Sequence, residues 1–289
     1  MRDFIISTDS NSDLPQKYID DNNIVIIPHY YDIDGVVYGD ELNLDPKEFY
    51  DLMRGGKMPT TMASNPQVIR DTFTKCVEEG YDILHLSFSS ALSGGCSNVT
   101  VGGAEICEEH PECRITVLDT ANVSSGQGLV VMKAVEMKKA GASFDEIISW
   151  IEENKLRFVT QFTVDDLFHL HRGGRLSKAT AIIGSIVNIK PLLSVNNEGK
   201  LVSISTVRGR KRSLNTLVNS FLEVYPDNKD NNKTIFIVHC DAPIESENMA
   251  KELREKTDCE VIVNMISPSI GSHAGPGTIG ICYFGNSRE

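Results

Sequence analysis

The chain has 289 residues, 40% of them hydrophobic and 24% charged, the balance of a folded protein with length for about two domains at roughly 150 residues each. Its 28 Lys and Arg stand against 40 Asp and Glu, a formal net charge of −12. Such a surface repels phosphate backbones and anionic membranes, which excludes nucleic-acid partners and leaves any anionic ligand to a few placed donors. No window approaches the ~18 apolar residues of a transmembrane helix, so the protein does not span a membrane. Phe4-Ile5-Ile6 is too short for a signal-peptide core. The seven cysteines are odd in number and form no CxxC pair. That composition points to reduced thiols in the cytoplasm and away from a disulfide framework or a zinc site.

Along the chain, short apolar runs alternate with helix-length stretches. Residues 4–8 (FIIST) and 24–28 (IVIIP) are predicted strands, with a short helix in LPQKYIDDN between them. Asp34-Gly35 inside DIDGVVYGD marks a small hairpin. YDILHLS (81–87) and RITVLDT (114–120) are further strands, joined by a helical segment that opens at Ser93. QGLVVMKAVEMKKAG (127–141) is predicted as an amphipathic helix stopped by Gly141. Ser143 with Glu146 forms a capping box for the helix that follows. Strand–helix–strand alternation of this kind builds a mainly parallel sheet.

Near residues 155–157 the pattern restarts, and we expect two α/β domains, 1–156 and 157–289, the second with a mixed sheet that includes a hairpin. RFVTQF is a strand, VDDLFHLHR a helix and TAIIGSIVNI (180–189) an apolar helix. PLLSV and LVSIST flank the turn Asn196–Gly199 as the hairpin. GRKRSLNTLVNSFLEV and SENMAKELREK are helices, while TIFIVHC, CEVIVNMIS and TIGICYFG are strands.

GPGTIG (275–280) spells GxGxxG, but a β-rich run follows it and the chain ends too soon for a dinucleotide fingerprint. A tight loop leading into the closing strand is the better account. No Walker A loop occurs, and no cofactor or metal is implied. His169 and His171 lie two apart on a helix, face different sides and cannot share a metal. They are structural or surface residues.

Hydroxyls gather where strands end: Ser7 to Ser10, Thr60-Thr61, Ser87 to Ser93, and Thr120 to Ser125. Each one alone reads as a helix cap. Together at the carboxyl edge of a parallel sheet they read as an anion-acceptor crevice. A serine hydrolase using one of these serines with His273 or His239 is the rival, although no GxSxG elbow exists. His273 lies in IGSHAGPGTIG, read as a flexible loop in which it is either structural or a ligand contact. The basic run Arg208, Arg210, Lys211 and Arg212 is either a solvated face or a partner or phosphate contact.

STDSNSDLP, MPTTMASNP (58–66), LSFSSALSGG (86–95), VLDT, HRGGRLS (171–177), IKPLLSV, VRGRKR and SHAGPGTIG together resemble the DegV family, in family order from residue 7 to residue 285. The resemblance implies a bacterial two-domain α/β protein that binds a long-chain fatty acid. It would act as the non-enzymatic, acyl-carrying subunit for a dihydroxyacetone-kinase-like fatty acid kinase, which phosphorylates the carboxylate for phospholipid synthesis. By that resemblance Thr61, Ser93 and His273 hold the carboxylate and Arg175 engages the kinase. Met62 departs from the family pattern, standing where a second hydroxyl is usual. A local ion pair with Asp165 or Asp166 is the alternative role for Arg175. Carriage of another hydrophobic acid, or serine-dependent acyl hydrolysis, are the alternative functions.

Overall fold

The computed structural model describes residues 2–176 and 188–288. The first half runs β1 (Asp3–Asp9), α1 (Gln16–Asp21), β2 (Val25–Ile27), β3 (Tyr30–Ile33), β4 (Val36–Tyr38), α2 (Pro46–Arg54) and β5 (Thr60–Met62). It continues with α3 (Pro66–Glu78), β6 (Tyr81–Ser87), α4 (Gly95–Glu109), β7 (Ile115–Asp119), α5 (Ser124–Lys139) and α6 (Phe144–Asn154). The second half holds β8 (Phe158–Thr163), α7 (Phe168–Arg172), β9 (Ile189–Val195), β10 (Leu201–Arg208) and α8 (Arg210–Asn228). It closes with β11 (Thr234–His239), α9 (Pro243–Lys256), β12 (Glu260–Met265), α10 (Pro268–Ala274) and β13 (Ile279–Phe284).

Strands β2-β1-β6-β7 form a wholly parallel sheet. A six-stranded mixed sheet, β10-β9-β8-β13-β11-β12, is built from the second half, and β4-β3-β5 make a small antiparallel one. The α/β class, the parallel first sheet and the mixed second sheet with its β9–β10 hairpin agree with the sequence reading. So do the Asp34-Gly35 turn, whose Gly35 has φ +86, and the Ser143–Glu146 capping box.

Helix α5 departs from expectation. It begins three residues earlier, at Ser124, and residues 124–131 are all buried, so it is not amphipathic there. It is packed between the sheets, touching β1 and β6 on one side and β8, β11 and β13 on the other. One core therefore joins Leu84 and Leu118 of the parallel sheet, Val130 and Ala134 of α5, and Phe236 and Cys282 of the mixed sheet.

Other departures are local. In VDDLFHLHR only Phe168–Arg172 is helical, with the Asp166 carboxylate accepting from the Phe168 N–H at 2.8 Å. The helix expected over 180–189 lies outside the described residues through 187, while Asn188 takes φ +65 and Ile189 starts β9. Helices α2, α3 and α10 and strand β5 have no counterpart in the sequence reading. Buried Tyr50 of α2 donates its hydroxyl to the Ile266 carbonyl at 2.8 Å and anchors the segment leading into α10. Arg210 is not on a solvated face: it bonds Glu245 at 2.8 Å and the Gly277 carbonyl at 2.6 Å.

Candidate functional site

Most of the strand-end hydroxyls are structural. Thr8 Oγ1 donates to the Leu86 carbonyl, Thr120 Oγ1 to the Ser87 carbonyl and Ser89 Oγ to the Gly199 carbonyl, each satisfying backbone at the sheet edge. Thr60 and Thr61 sit within strand β5 of the small sheet, not at the edge of the parallel one. The crevice reading survives in a narrower form. A cavity of about 920 Å³, mouth included, lies between the carboxyl ends of the parallel strands and the mixed sheet.

Its wall is largely apolar. Phe88 and Val123 come from the loops after β6 and β7, Phe162 from β8, and Leu170, Leu201, Val238 and Ile270 complete the lining from the second half. Thr61, Ser93, Arg175 and His273 all face this one space. The sequence places them more than two hundred residues apart at the extremes; the fold brings them together.

Local structure explains the placement. Ser93 precedes α4, and its Oγ accepts from the Gly95 N–H at 3.2 Å, leaving its hydroxyl hydrogen available. His273 lies in the last turn of α10, so it is carried on a helix and not on a flexible loop. Its Nε2 is 2.8 Å from Thr61 Oγ1, and its Nδ1 is buried without a partner. Gly173 is required beside it, because a Cβ there would collide with Nδ1. Gly275 similarly leaves room for the His169 ring and Gly277 for the Asp165 carboxylate, which is why the glycine loop precedes β13. Arg172 donates to the Pro59 carbonyl at 2.9 Å and the Ser272 carbonyl at 3.3 Å, fastening β5 and α10 to the same side chain.

Electrostatics keep the imidazole neutral. Burial, then the positive charges of Arg175 and Arg172, push the His273 pKa down to about 4. The Thr61–His273 pair spends one hydrogen on its mutual bond and keeps one to donate, so with Ser93 it offers an anion two hydrogen bonds without a fixed ion pair. Arg175 donates to the Leu92 carbonyl at 3.1 Å and to the Gly173 carbonyl. Asp165 pairs with Lys190 and Arg210 and Asp166 accepts from the Phe168 N–H, so neither serves as the ion-pair partner considered for Arg175. Met62 lines the cavity mouth and is 42% exposed.

The contacts of a hydrolytic triad are not made among the described residues. His273 bonds Thr61 and not Ser93, and no carboxylate reaches its Nδ1. His239 accepts from the Ala242 N–H and is not among the residues facing the cavity. Among the described residues no cluster of His, Cys, Asp or Glu is arranged to hold a metal, and no helix is long and apolar enough to cross a membrane.

Among the polar residues of the wall that sequence reasoning missed are Asn11 and His29, each 4% exposed. The signal was present in IVIIPHY, where a His stands two residues after a parallel strand.

Comparison with known proteins agrees across the whole chain. Residues 3–286 match the family model described as "Uncharacterised protein, DegV family". A DegV domain-containing protein of Clostridium perfringens is 41% identical over 100% of both chains, and one of Lactococcus lactis is 32% identical over 99% of this chain and 98% of its own. Among solved structures, a fatty-acid-binding DegV family protein from Thermus thermophilus superposes with a TM-score of 0.86 at 28% identity, covering 99% of this chain and 100% of that one. DegV of Bacillus subtilis, described as a fatty acid binding protein, gives 0.85 at 28% identity over the same shares.

Proposed function

The chain belongs to the DegV family, and from that premise we propose that it binds one long-chain fatty acid, the carboxylate held by Thr61, Ser93 and His273 and the tail lying in the apolar cavity. The observation that carries the proposal is the convergence of those three residues on one largely apolar space. A saturated C16 tail buries about 15 methylenes at ~0.8 kcal/mol each, roughly 12 kcal/mol gross. That is comparable with the ~4–15 kcal/mol cost of association, so an enclosed tail supports tight binding. The carboxylate, withdrawn from water, needs several hydrogen bonds to offset its desolvation.

In the fuller form of the proposal the protein is a carrier and not an enzyme. It presents the head group to a separate, dihydroxyacetone-kinase-like fatty acid kinase that makes the acyl phosphate, with Arg175 at the cavity mouth facing that partner. The reduced thiols support a cytoplasmic setting, and the bound fatty acid is the ligand with no further cofactor. Division into two domains near residues 155–157 belongs to the same proposal; the two main sheets draw their strands from opposite sides of that point. The test is organic extraction of the purified protein followed by mass spectrometry. About one fatty acid per chain is expected. Absence of lipid from folded protein that also takes up no added fatty acid overturns the reading.

A further inference from the structure

His29 follows β2 and lies in the cavity wall close to Ser93. A Cβ on Gly95 would stand 2.8 Å from His29 Nε2 and 3.5 Å from Ser93 Oγ, so the imidazole edge and the serine hydroxyl are neighbours across the start of α4. The His29 N–H of the backbone donates to Ser10 Oγ at 2.9 Å, and Nδ1 is 3.1 Å from Asn11 Nδ2. With the Asn11 amide nitrogen toward the ring, Nδ1 is the acceptor and the neutral ring carries its hydrogen on Nε2. Burial disfavours the charged form of His29. Among the described residues Nε2 has no hydrogen-bond partner, and Asn11 Oδ1 is buried without one.

The carboxylate does not need this pair, since Ser93 and the Thr61–His273 pair already supply a donor for each of its two oxygens. Beside them in the cavity wall stands a further polar pair with one nitrogen and one acceptor unmet. A hydroxyl both donates and accepts, and it matches that pair whichever way the Asn11 amide is turned. A methylene there leaves the imidazole N–H desolvated and unpaired, which is the arrangement by which a polar site rejects an analogue lacking the group.

We propose that His29, oriented by Asn11, selects fatty acids that bear a hydroxyl one or two carbons from the carboxylate. The assignment rests on the fatty-acid reading above and names the substrate class within it. It gives His29 a specificity role, distinct from the three residues that hold the carboxylate.

The test is titration of delipidated full-length protein with hexadecanoic acid and with its α-hydroxy and β-hydroxy derivatives. At least one hydroxy acid is expected to bind about tenfold more tightly than the plain acid, as one satisfied hydrogen bond in a desolvated site allows. His29→Leu should bring that ratio to near one, whereas Thr61→Ala should weaken all three acids and leave the ratio in place. Asn11→Ala, which releases the tautomer, should lower the ratio partway and serves as the second variant if His29→Leu does not fold. Equal affinities in the wild type overturn the proposal, as does a ratio that survives both His29→Leu and Asn11→Ala. Failure of the wild type to bind any of the three acids overturns the fatty-acid reading itself, an outcome separable from loss of selectivity.

Discussion

Of the polar contacts that join the two halves of the chain, two are built on opposite principles. At Asp13 the contact is closed. The carboxylate accepts from Ser124 Oγ of α5 and from the Ser267 N–H, at 3.1 Å, ahead of α10, while the Asp13 carbonyl accepts from Asn264 Nδ2. The residue is buried, with φ +46, and both its side-chain oxygens are used. At Thr61–His273 the contact is a single 2.8 Å bond at the edge of a cavity, with one imidazole nitrogen unmet. A fully satisfied buried polar group holds structure together, whereas a half-satisfied one beside open space is waiting for something to bind.

The largest expected effect tests the closed contact. Asp13→Ala leaves the Ser124 hydroxyl and the Ser267 N–H without their acceptor, at a cost of roughly 3 kcal/mol in urea unfolding. The same residue has a pH signature. Burial raises the Asp13 pKa from its ordinary 3.8 to about 6 in the folded chain, so between those values the native state holds a proton that the unfolded state has released. Stability attributable to Asp13 is therefore present below pH 4 and lost as pH rises to 6, by on the order of 3 kcal/mol. The stability of wild type minus that of Asp13→Asn, followed from pH 4 to 7, should fall by that amount. A flat difference would remove Asp13 from its role at the seam.

The open contact should respond in affinity and not in stability. Thr61→Ala, Ser93→Ala and His273→Ala are each expected to weaken fatty-acid binding about tenfold to a hundredfold, the worth of one hydrogen bond to a charged group at roughly 1.5–3 kcal/mol. Their thermal midpoints should stay close to wild type. Gly173→Ala belongs with them, because its Cβ would displace the His273 ring without touching a ligand. If these variants instead lose stability at unchanged affinity, the two contacts are of one kind and the contrast between them fails.

That contrast was only partly legible in the sequence. The strands of both main sheets stand out as short apolar runs because a strand buried on both faces needs nothing else. The burial of α5 was hidden, since the periodicity of one helix reports neither a second sheet above it nor the small Gly126 and Gly128 that let Thr160 of β8 and the Ser12–Leu14 segment close on it. Thr61 and His273 are 212 residues apart, and no local pattern pairs them; their joint role was legible only through family resemblance. Asp13 read as one acid of a polar run, and nothing local marks it as the residue that α5 and the α10 segment both bond. His29 carried a signal, a polar residue two positions after a parallel strand, whose meaning depends on Asn11 and Gly95 being where the fold puts them.

Arg175 stands between the two kinds of contact, and the smallest expected effect on the chain's own properties decides its place. It faces the cavity with Thr61 and His273, yet its described bonds are to backbone carbonyls, those of Leu92 and Gly173. Burial lowers its pKa only from an ordinary value far above neutrality, so it stays cationic. A guanidinium tied down by carbonyls keeps further N–H groups in a planar fork suited to a carboxylate or phosphate on another molecule. Removing it takes away one positive charge near His273, one hydrogen bond that holds the turn before Ser93 and one to the Gly173 carbonyl. Arg175→Ala is therefore expected to shift the thermal midpoint by no more than a degree or two and fatty-acid affinity by no more than about threefold, on the order of 0.6 kcal/mol. Mixed with the cognate kinase and ATP, the same variant should lose most acyl-phosphate formation, and Arg175→Lys, which cannot make the bidentate fork, should not restore it. A variant that releases its lipid, or that melts well below the wild type, puts Arg175 among the groups that hold the head group or the turn. One that supports full acyl-phosphate formation leaves it no partner to serve.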